Sequence, residues 1–244
     1  MIFISVAIPR MDLIPCCTPP RLIGNWLMKR LIDILVAGAC LIIFFIPMAV
    51  IGVLVAATSR GGVFYISRRV GKNGQTFDLY KFRTMTQGAD SYGTVAVKLN
   101  DGRITPLGRF LRRSKLDELP QLFSVLRGEI SLVGPRPDLQ MYIDMYSPEE
   151  RGRILSVKPG LSDWASLVNY HQHDYLLNAD DIDEAFLKYI RPVKVALQLY
   201  YVNNSNMLED LKILGYTAFK FIGVSLPLPE KVIQISKFSY TAQQ

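Results

Sequence analysis

"LIDILVAGACLIIFFIPMAVIGVLVAA", residues Leu31 to Ala57, is the stretch on which the fold turns, because its only charge is Asp33 near the start. The run is longer than the roughly 20 apolar residues a helix needs to cross a bilayer core. A core helix of a soluble protein is seldom this long or this uniformly apolar, so membrane insertion is expected. Lys29 and Arg30 precede it, and Arg60, Arg68 and Arg69 follow. Lys and Arg mark cytoplasmic flanks, so both ends want the same side. Pro47 cannot donate to the carbonyl of Ile43, which predicts a kink or break there. A helix, a break and a second helix returning to the starting leaflet would satisfy the proline and both flanks. A kinked spanning helix is the other reading, since non-helical backbone at membrane depth must be sheltered by protein or water. The residues alone leave both open.

Around this segment the chain has 244 residues, enough for one main domain plus membrane-attaching pieces. Its 28 Lys and Arg against 21 Asp and Glu give a net charge of +7. That balance favours an anionic partner: nucleic acid, anionic lipid headgroups or a phosphorylated substrate. Cys16, Cys17 and Cys40 form neither a disulfide framework nor a metal-ligand spacing, so reduced thiols are expected. The opening "MIFISVAIPR" lacks a basic start and a cleavage site, and no signal peptide is predicted. Pro9, Pro15, Pro19 and Pro20 disfavour a spanning helix before the apolar run, leaving a loosely ordered or interfacial leader.

Beyond the run, "GGVFYISRRVGKNGQTFDLYKFRTM" places β-rich pieces at Val63 to Ser67 and Thr76 to Phe82 around a Gly71 to Gly74 turn, a hairpin pattern. Residues Gln87 to Gly102 read as a loop. From Leu107 to Leu126 apolar residues recur at helical spacing, and Pro120 divides them, the second helix starting near Asp117 or Glu118. "GEISLVGPRPDL" predicts a short strand and then a loop bearing Arg136, stiffened by Pro135 and Pro137. After Pro192 two helices are expected, parted at Asn203 to Asn206. The second is apolar at Leu208, Leu211, Leu214, Phe219 and Ile222, for packing on the domain or for lying in the bilayer interface.

Asp117 and Glu118 are adjacent carboxylates in a basic chain, set just after Arg112 and Arg113. An acidic first helical turn explains them in part. It does not explain why Leu116, Leu119, Leu122 and Phe123 would carry the pair inward among basic groups. Successive helical residues project about 100° apart, so one carboxylate can meet a substrate or metal while the other reaches a neighbouring proton. A carboxylate attacks phosphorus when a divalent cation and Arg or Lys donors neutralise the phosphoryl oxygens. Lys81, Arg83, Arg112 and Arg136 are the candidate donors.

Four stretches in order, "KRLIDILVAGACLIIFFIPMAVIGVLVA", "GGVFYISRRVGKNGQTFDLYKFRTM", "TPLGRFLRRSKLDELPQLFSVLRGEISLVGPRPDL" and "KPGLSDWASLV", resemble the bacterial sugar transferases, the monotopic polyprenyl-phosphate phosphoglycosyl transferases. The resemblance covers about Lys29 to Asn169 and continues in "YVNNSNMLEDLKILGYT". It implies an enzyme of the bacterial inner membrane, with its catalytic domain on the cytoplasmic side. Such an enzyme moves a sugar 1-phosphate from a UDP-sugar to undecaprenyl phosphate and releases UMP, the first membrane step of a surface glycan such as exopolysaccharide, capsule, O-antigen or a glycoprotein glycan. By resemblance Asp117 is the nucleophile and Mg²⁺ ligand. Glu118 is its partner, as proton acceptor or as orienter of the lipid phosphate. Arg112, Lys81, Arg83, Pro135 and Arg136 form the substrate site, and Pro47 breaks a re-entrant helix. The implied fold is α+β and predominantly helical, with a small β-hairpin and interfacial amphipathic helices. It divides into a leader (1–28), the membrane helix (29–58), a catalytic domain (59–205) and a C-terminal amphipathic helix and tail (206–244). Inner-membrane lipid is an expected partner, nucleic acid is not, and homodimerisation stays open. Asp163 stands where the family usually has Gly and Ser166 where it has Gln. His171, His173 and Asp174 are local and lack a distant fourth ligand, so no metal is expected there. The rival from another class is a non-catalytic, membrane-anchored basic module that binds anionic lipid or nucleic acid through summed charge, with a steep salt dependence.

Overall fold

The apolar run folds as two helices, α1 (Ile23–Ile43) and α2 (Phe45–Thr58), bent by 62° where they meet. The structure is a computed structural model that describes residues 23–59, 61–89, 101–169 and 182–241. His171, His173, Asp174, Arg60 and most of the leader lie outside these residues. The break falls at Phe44, three residues before the proline predicted to make it. The reason is local. Pro47 has no N–H for the Ile43 carbonyl, yet it is tolerated within the first turn of a helix, where donors have no intrahelical partner anyway. The chain therefore ends one helix at Ile43 and starts another that holds Pro47 in its first turn. Among the described residues no single helix is long and apolar enough to cross a membrane; the bent pair together meets that length and composition.

Both helices bury one face and expose the other. On α1, Asp33 is buried because its Oδ1 accepts from Ser131 Oγ at 3.1 Å and from the Leu132 amide at 3.0 Å. Ala37 is fully buried nearby, while Leu27, Leu31, Leu35 and Ile42 on the outer side are exposed. On α2, Ile51 and Val55 pack with Phe82 and Leu111, and Ile46, Val50 and Val53 face outward.

Strands β1 (Phe64–Val70) and β2 (Thr76–Phe82) form the expected antiparallel hairpin, with Asn73 left-handed (φ 57°) in the turn. β1 runs past Ser67, where the sequence pattern had it stop, and takes Arg68 and Arg69 into the ladder opposite Asp78 and Phe77. Helix α3 (Pro106–Ser114) starts on a Thr105 cap that accepts from the Gly108 amide at 2.9 Å. It ends at Lys115, whose left-handed backbone (φ 58°) turns the chain into a 3₁₀ turn, Leu116–Glu118. Helix α4 (Gln121–Arg127) follows Pro120. The second helix thus begins later than Asp117 or Glu118, because a left-handed residue rather than the proline alone divides the apolar run.

Strand β3 (Ser131–Val133) pairs in parallel with β4 (Gly160–Ser162). Gly134 and Gly160 touch so closely that a Cβ on Gly160 would sit 2.0 Å from the Gly134 nitrogen, a distance no side chain tolerates. Short helices α5 (Gln140–Ile143), α6 (Pro148–Ile154) and α7 (Trp164–Asn169) surround this pair. Helix α8 (Ile182–Ala185) leads through a π turn into α9 (Arg191–Asn204), and Asn206 caps α10 (Met207–Phe221) by accepting from the Glu209 amide at 2.9 Å. The last helix is α11 (Glu230–Thr241). The described chain is thus predominantly helical, with two small two-stranded sheets. Its main core joins α1, β2, α4, β3, α7, α9, α10 and α11 through residues such as Ala37, Leu79, Val125, Leu132, Trp164, Leu197, Ile213 and Val232. On α10, Ile213 enters that core while Leu208, Leu211 and Phe219 stay exposed, as does Ile222 just beyond its end.

The first turns of α1 are bound to the domain through polar side chains. Lys29 Nζ donates to the Val133 carbonyl (2.9 Å), Tyr201 Oη (2.9 Å) and Asp210 Oδ2 (2.7 Å). Arg30 donates to the Val125 and Leu126 carbonyls at 2.6 and 2.7 Å, satisfying the C-terminal end of α4. These two cations, read from sequence as flank charges for the membrane surface, are engaged inside the fold.

Candidate active site

The left-handed Lys115 presses the turn carrying Asp117 and Glu118 against β2, so the site is assembled by a backbone reversal. Asp117 is 7% exposed, and its Oδ1 is buried with no hydrogen-bond partner. Burial first, then the neighbouring Glu118, push its carboxyl above the usual range, against the pull of Lys81, Lys115 and Arg112. Glu118 lies in the opposite environment. Burial alone would raise it too, but Arg136 and Lys81 more than offset this and hold it well below an ordinary carboxyl. Its Oε1 accepts from Arg136 Nη2 and lies 3.5 Å from Lys81 Nζ. Two adjacent carboxylates are thereby driven apart: one anchored by cations, the other buried with one oxygen unpaired.

The cations come from three elements. Lys81 projects from β2; burial lowers its ammonium and Glu118 partly restores it. Arg136 sits in the loop after β3 and is fixed at several points. Its amide donates to Asp163 Oδ2 (3.1 Å), its Nη1 to the Leu161 carbonyl (3.0 Å), and its own carbonyl accepts from Gln198 Nε2 (3.3 Å). Burial would lower its guanidinium, but Glu118 more than compensates and raises it. Pro135 secures the same loop, its carbonyl accepting from the Gly160 amide at 3.0 Å. Arg112, from α3, donates to Thr84 Oγ1 at 2.8 Å; burial lowers its guanidinium, and Asp117 is its strongest favourable neighbour.

The structure therefore brings Asp117, Glu118, Lys81, Arg112, Pro135 and Arg136 to one place. It does not bring Arg83 there: that guanidinium donates to the Gly62 and Phe64 carbonyls, both at 3.1 Å, and braces the start of β1. Pro47 belongs to the helix pair. Arg69 is the residue the sequence reading passed over. It lies on the same face of the hairpin as Lys81, donates to Ser67 Oγ at 3.0 Å, and is within electrostatic reach of Arg136 and Asp138. The signal was present in the period-2 alternation, which puts Tyr65, Ser67 and Arg69 on one face and Arg68 on the other. Asp163 and Ser166, the two departures from the family pattern, bond to each other: Asp163 Oδ1 accepts from the Ser166 amide (2.7 Å) and hydroxyl.

No cluster of three or more His, Cys, Asp or Glu side chains able to hold a metal exists among the described residues. Mg²⁺ asks for less. It is commonly held by one or two carboxylates, with substrate phosphates and waters completing its shell. The unpaired Asp117 oxygen fits that role in donor type, whereas Glu118 is committed to two cations.

A family profile described as bacterial sugar transferase matches residues 24–223. Among curated proteins, the UDP-N-acetylgalactosamine-undecaprenyl-phosphate N-acetylgalactosaminephosphotransferase of Aeromonas hydrophila is 35% identical over 191 residues, 78% of this chain and 42% of its own length. The uncharacterized sugar transferase EpsL of Bacillus subtilis is 36% identical over 200 residues, covering 80% of this chain and 88% of its own. The UDP-glucose:undecaprenyl-phosphate glucose-1-phosphate transferase of Klebsiella pneumoniae is 34% identical over 198 residues, 80% of this chain but 40% of its own. The chain thus spans under half the length of two of these relatives and most of the third.

Proposed function

Because the chain belongs to the bacterial sugar transferase family, we propose that it transfers a sugar 1-phosphate from a UDP-sugar to undecaprenyl phosphate through a phosphosugar carried on Asp117. The observation that carries this reading is the buried, unpartnered Oδ1 of Asp117 beside a carboxylate whose charge is already balanced by Lys81 and Arg136. An oxygen with no donor to satisfy keeps its lone pairs for phosphorus or a metal ion. Two relatives name undecaprenyl phosphate as acceptor, with N-acetylgalactosamine in one and glucose in the other. The donor is accordingly written as a UDP-sugar.

In the first half-reaction an Asp117 carboxylate oxygen attacks the sugar-linked phosphorus, the bond to the bridging oxygen breaks, and UMP departs with that electron pair. In the second, an oxygen of undecaprenyl phosphate attacks the same phosphorus and Asp117 leaves as a carboxylate. The attacking atom is a carboxylate oxygen in the first step and a phosphate oxygen in the second. Glu118, held well below the usual carboxyl range, is a poor base at neutral pH and acts by orienting Arg136 and Lys81 toward the phosphoryl oxygens. Arg112 and Arg69 add positive charge at the rim. Mg²⁺ held at Asp117 would neutralise phosphoryl charge, as metal ions do in phosphoryl transfer generally.

The acceptor's phosphate stays in the headgroup layer, so the site must lie there as well. The bent helix pair is re-entrant in this reading: Lys29 and Arg30 tie the start of α1 to the domain, and β1 follows α2 directly into it. Ile42, Ile43, Phe45 and Ile46, all exposed at the bend, enter the bilayer, while the outer face of α10 rests at its surface. In this reading the domain lies on the cytoplasmic side of the inner membrane, where a UDP-sugar donor would reach it.

Intact-mass measurement of the protein incubated with donor alone tests the chemistry. A gain equal to one sugar phosphate is expected, reversed by undecaprenyl phosphate and absent in Asp117→Asn. Full turnover with both substrates, and never an adduct without the acceptor, would remove Asp117 from the role of nucleophile.

A further inference from the structure

We propose that Asp163 is a positioning residue for Arg136. Its carboxylate joins the Arg136 loop to α7, with one oxygen accepting the Arg136 amide at 3.1 Å and the other the Ser166 amide at 2.7 Å. The side chain is 1% exposed, so it makes these bonds in place of water. A buried carboxylate is costly unless its lone pairs are filled, and here both oxygens accept from backbone N–H groups. The Ser166 hydroxyl adds a second bond to Oδ1, beside the one from its amide.

The position of this bond in the loop decides what it does. On its N-terminal side the loop is pinned by the Gly134–Gly160 contact and by Pro135 accepting from the Gly160 amide. Beyond Arg136, Gln198 Nε2 reaches its carbonyl at 3.3 Å. Asp163 holds the peptide between these points, so the guanidinium leaves the backbone in the direction that meets Glu118 and the Leu161 carbonyl. Neither a glycine nor an alanine at 163 could accept both amides. An asparagine could accept only one, since its NH₂ would face a donor. Asp163 touches no reacting atom; it acts through Arg136.

The consequence for turnover rests on the phosphoglycosyl transfer reading, and the experiment separates the two. In the full-length protein in lipid nanodiscs, hydrogen exchange of the peptide containing Arg136 is compared for wild type, Asp163→Asn, Asp163→Ala and Ser166→Ala. Asp163→Ala is expected to speed exchange at Arg136 about tenfold, the loss of one charge-assisted bond, with α9 unchanged; Ser166→Ala is expected to change it little. Unaltered exchange at Arg136 in Asp163→Ala overturns the proposal, whether or not the protein turns over UDP-sugars. In turnover, Asp163→Ala is expected to lower kcat/KM for the UDP-sugar about tenfold in the wild-type background and less than about twofold in Arg136→Lys, because coupled residues are non-additive. Equal losses in both backgrounds would assign Asp163 to general stability and overturn its action through Arg136. A wild type that releases no UMP from any UDP-sugar removes the functional reading, and the exchange result still decides the positioning.

Discussion

Replacing Asp117 by asparagine should separate stability from catalysis in opposite directions. The wild-type carboxylate is 7% exposed and leaves one oxygen without a donor. Burial and the adjacent Glu118 raise its pKa in the folded chain. A carboxyl raised on folding binds more protons in the native state than in the unfolded one. Its contribution to stability is therefore largest in acid and is lost as pH rises from about 4, the unfolded value, through the folded pKa. Above its folded pKa the native state carries the cost of an ionised, under-solvated group. A neutral carboxamide of the same shape removes it. An unsatisfied buried polar group costs about 1–3 kcal/mol, and the amide's own donors forfeit part of any gain. The expected net gain is about 1 kcal/mol, a Tm increase of roughly 2–4 °C for a chain of this size. The gain should shrink toward zero as pH is lowered to about 4. Over the same pH range UMP release from a UDP-sugar with undecaprenyl phosphate should fall by a factor on the order of 10⁴ or more, as for loss of a nucleophile. Thermal unfolding in detergent and a coupled UMP assay on one preparation suffice. A variant that melts several degrees lower, or that keeps a tenth of the turnover, refutes the reasoning from the unpaired oxygen.

Four further outcomes are expected. Lys29→Met strands Asp210, which keeps only its bond from Tyr201 Oη at 2.6 Å; a loss of roughly 2–3 kcal/mol in unfolding free energy is expected, partly recovered by adding Asp210→Asn. Arg83→Ala should cost about 1 kcal/mol of stability through its two carbonyl bonds and reduce turnover less than Arg136→Ala does, as paired kcat/KM measurements would reveal. In a cysteine-free variant, single cysteines at Trp26 and Thr58, both exposed, should resist a membrane-impermeant thiol reagent added to spheroplasts and react after permeabilisation; opposite behaviour of the two would establish a span. Chelation should abolish UMP release and Mg²⁺ restore it, without moving the unfolding temperature of the substrate-free protein, because Asp117 alone is a weak ligand.

Much of the fold could be read locally. The hairpin followed from alternation around Gly71 to Gly74, and the two helices parted at Asn203 to Asn206 from apolar spacing, while α11 (Glu230–Thr241) fell in what was read as a tail. The adjacent carboxylates among cations were likewise visible as a pattern. What escaped the sequence depends on contacts distant in the chain or on a single backbone angle. Lys115 gives no residue-type signal for a left-handed conformation, so the 3₁₀ turn under Asp117 was hidden. Arg83 was named with Lys81 only as a basic residue near the carboxylates; the strand ends at Phe82, and Arg83 turns back to Gly62 and Phe64. Lys29 and Arg30 looked like flank charges because their partners, from Val125 to Asp210, lie far along the chain. Asp33 was an unexplained charge until Ser131 and the Leu132 amide were seen to receive it.

Those last contacts have a consequence for modularity. Lys29, Arg30 and Asp33 on α1 reach carbonyls, an amide and a hydroxyl that all lie between Val125 and Val133, the connection leading from the carboxylate turn to the loop of Arg136. The hydrophobic hairpin is therefore not a tether that could be exchanged for another, or trimmed to liberate a water-soluble enzyme. Cutting it away would orphan the polar groups between Val125 and Val133, so the helix pair is a structural part of the domain that carries the candidate site.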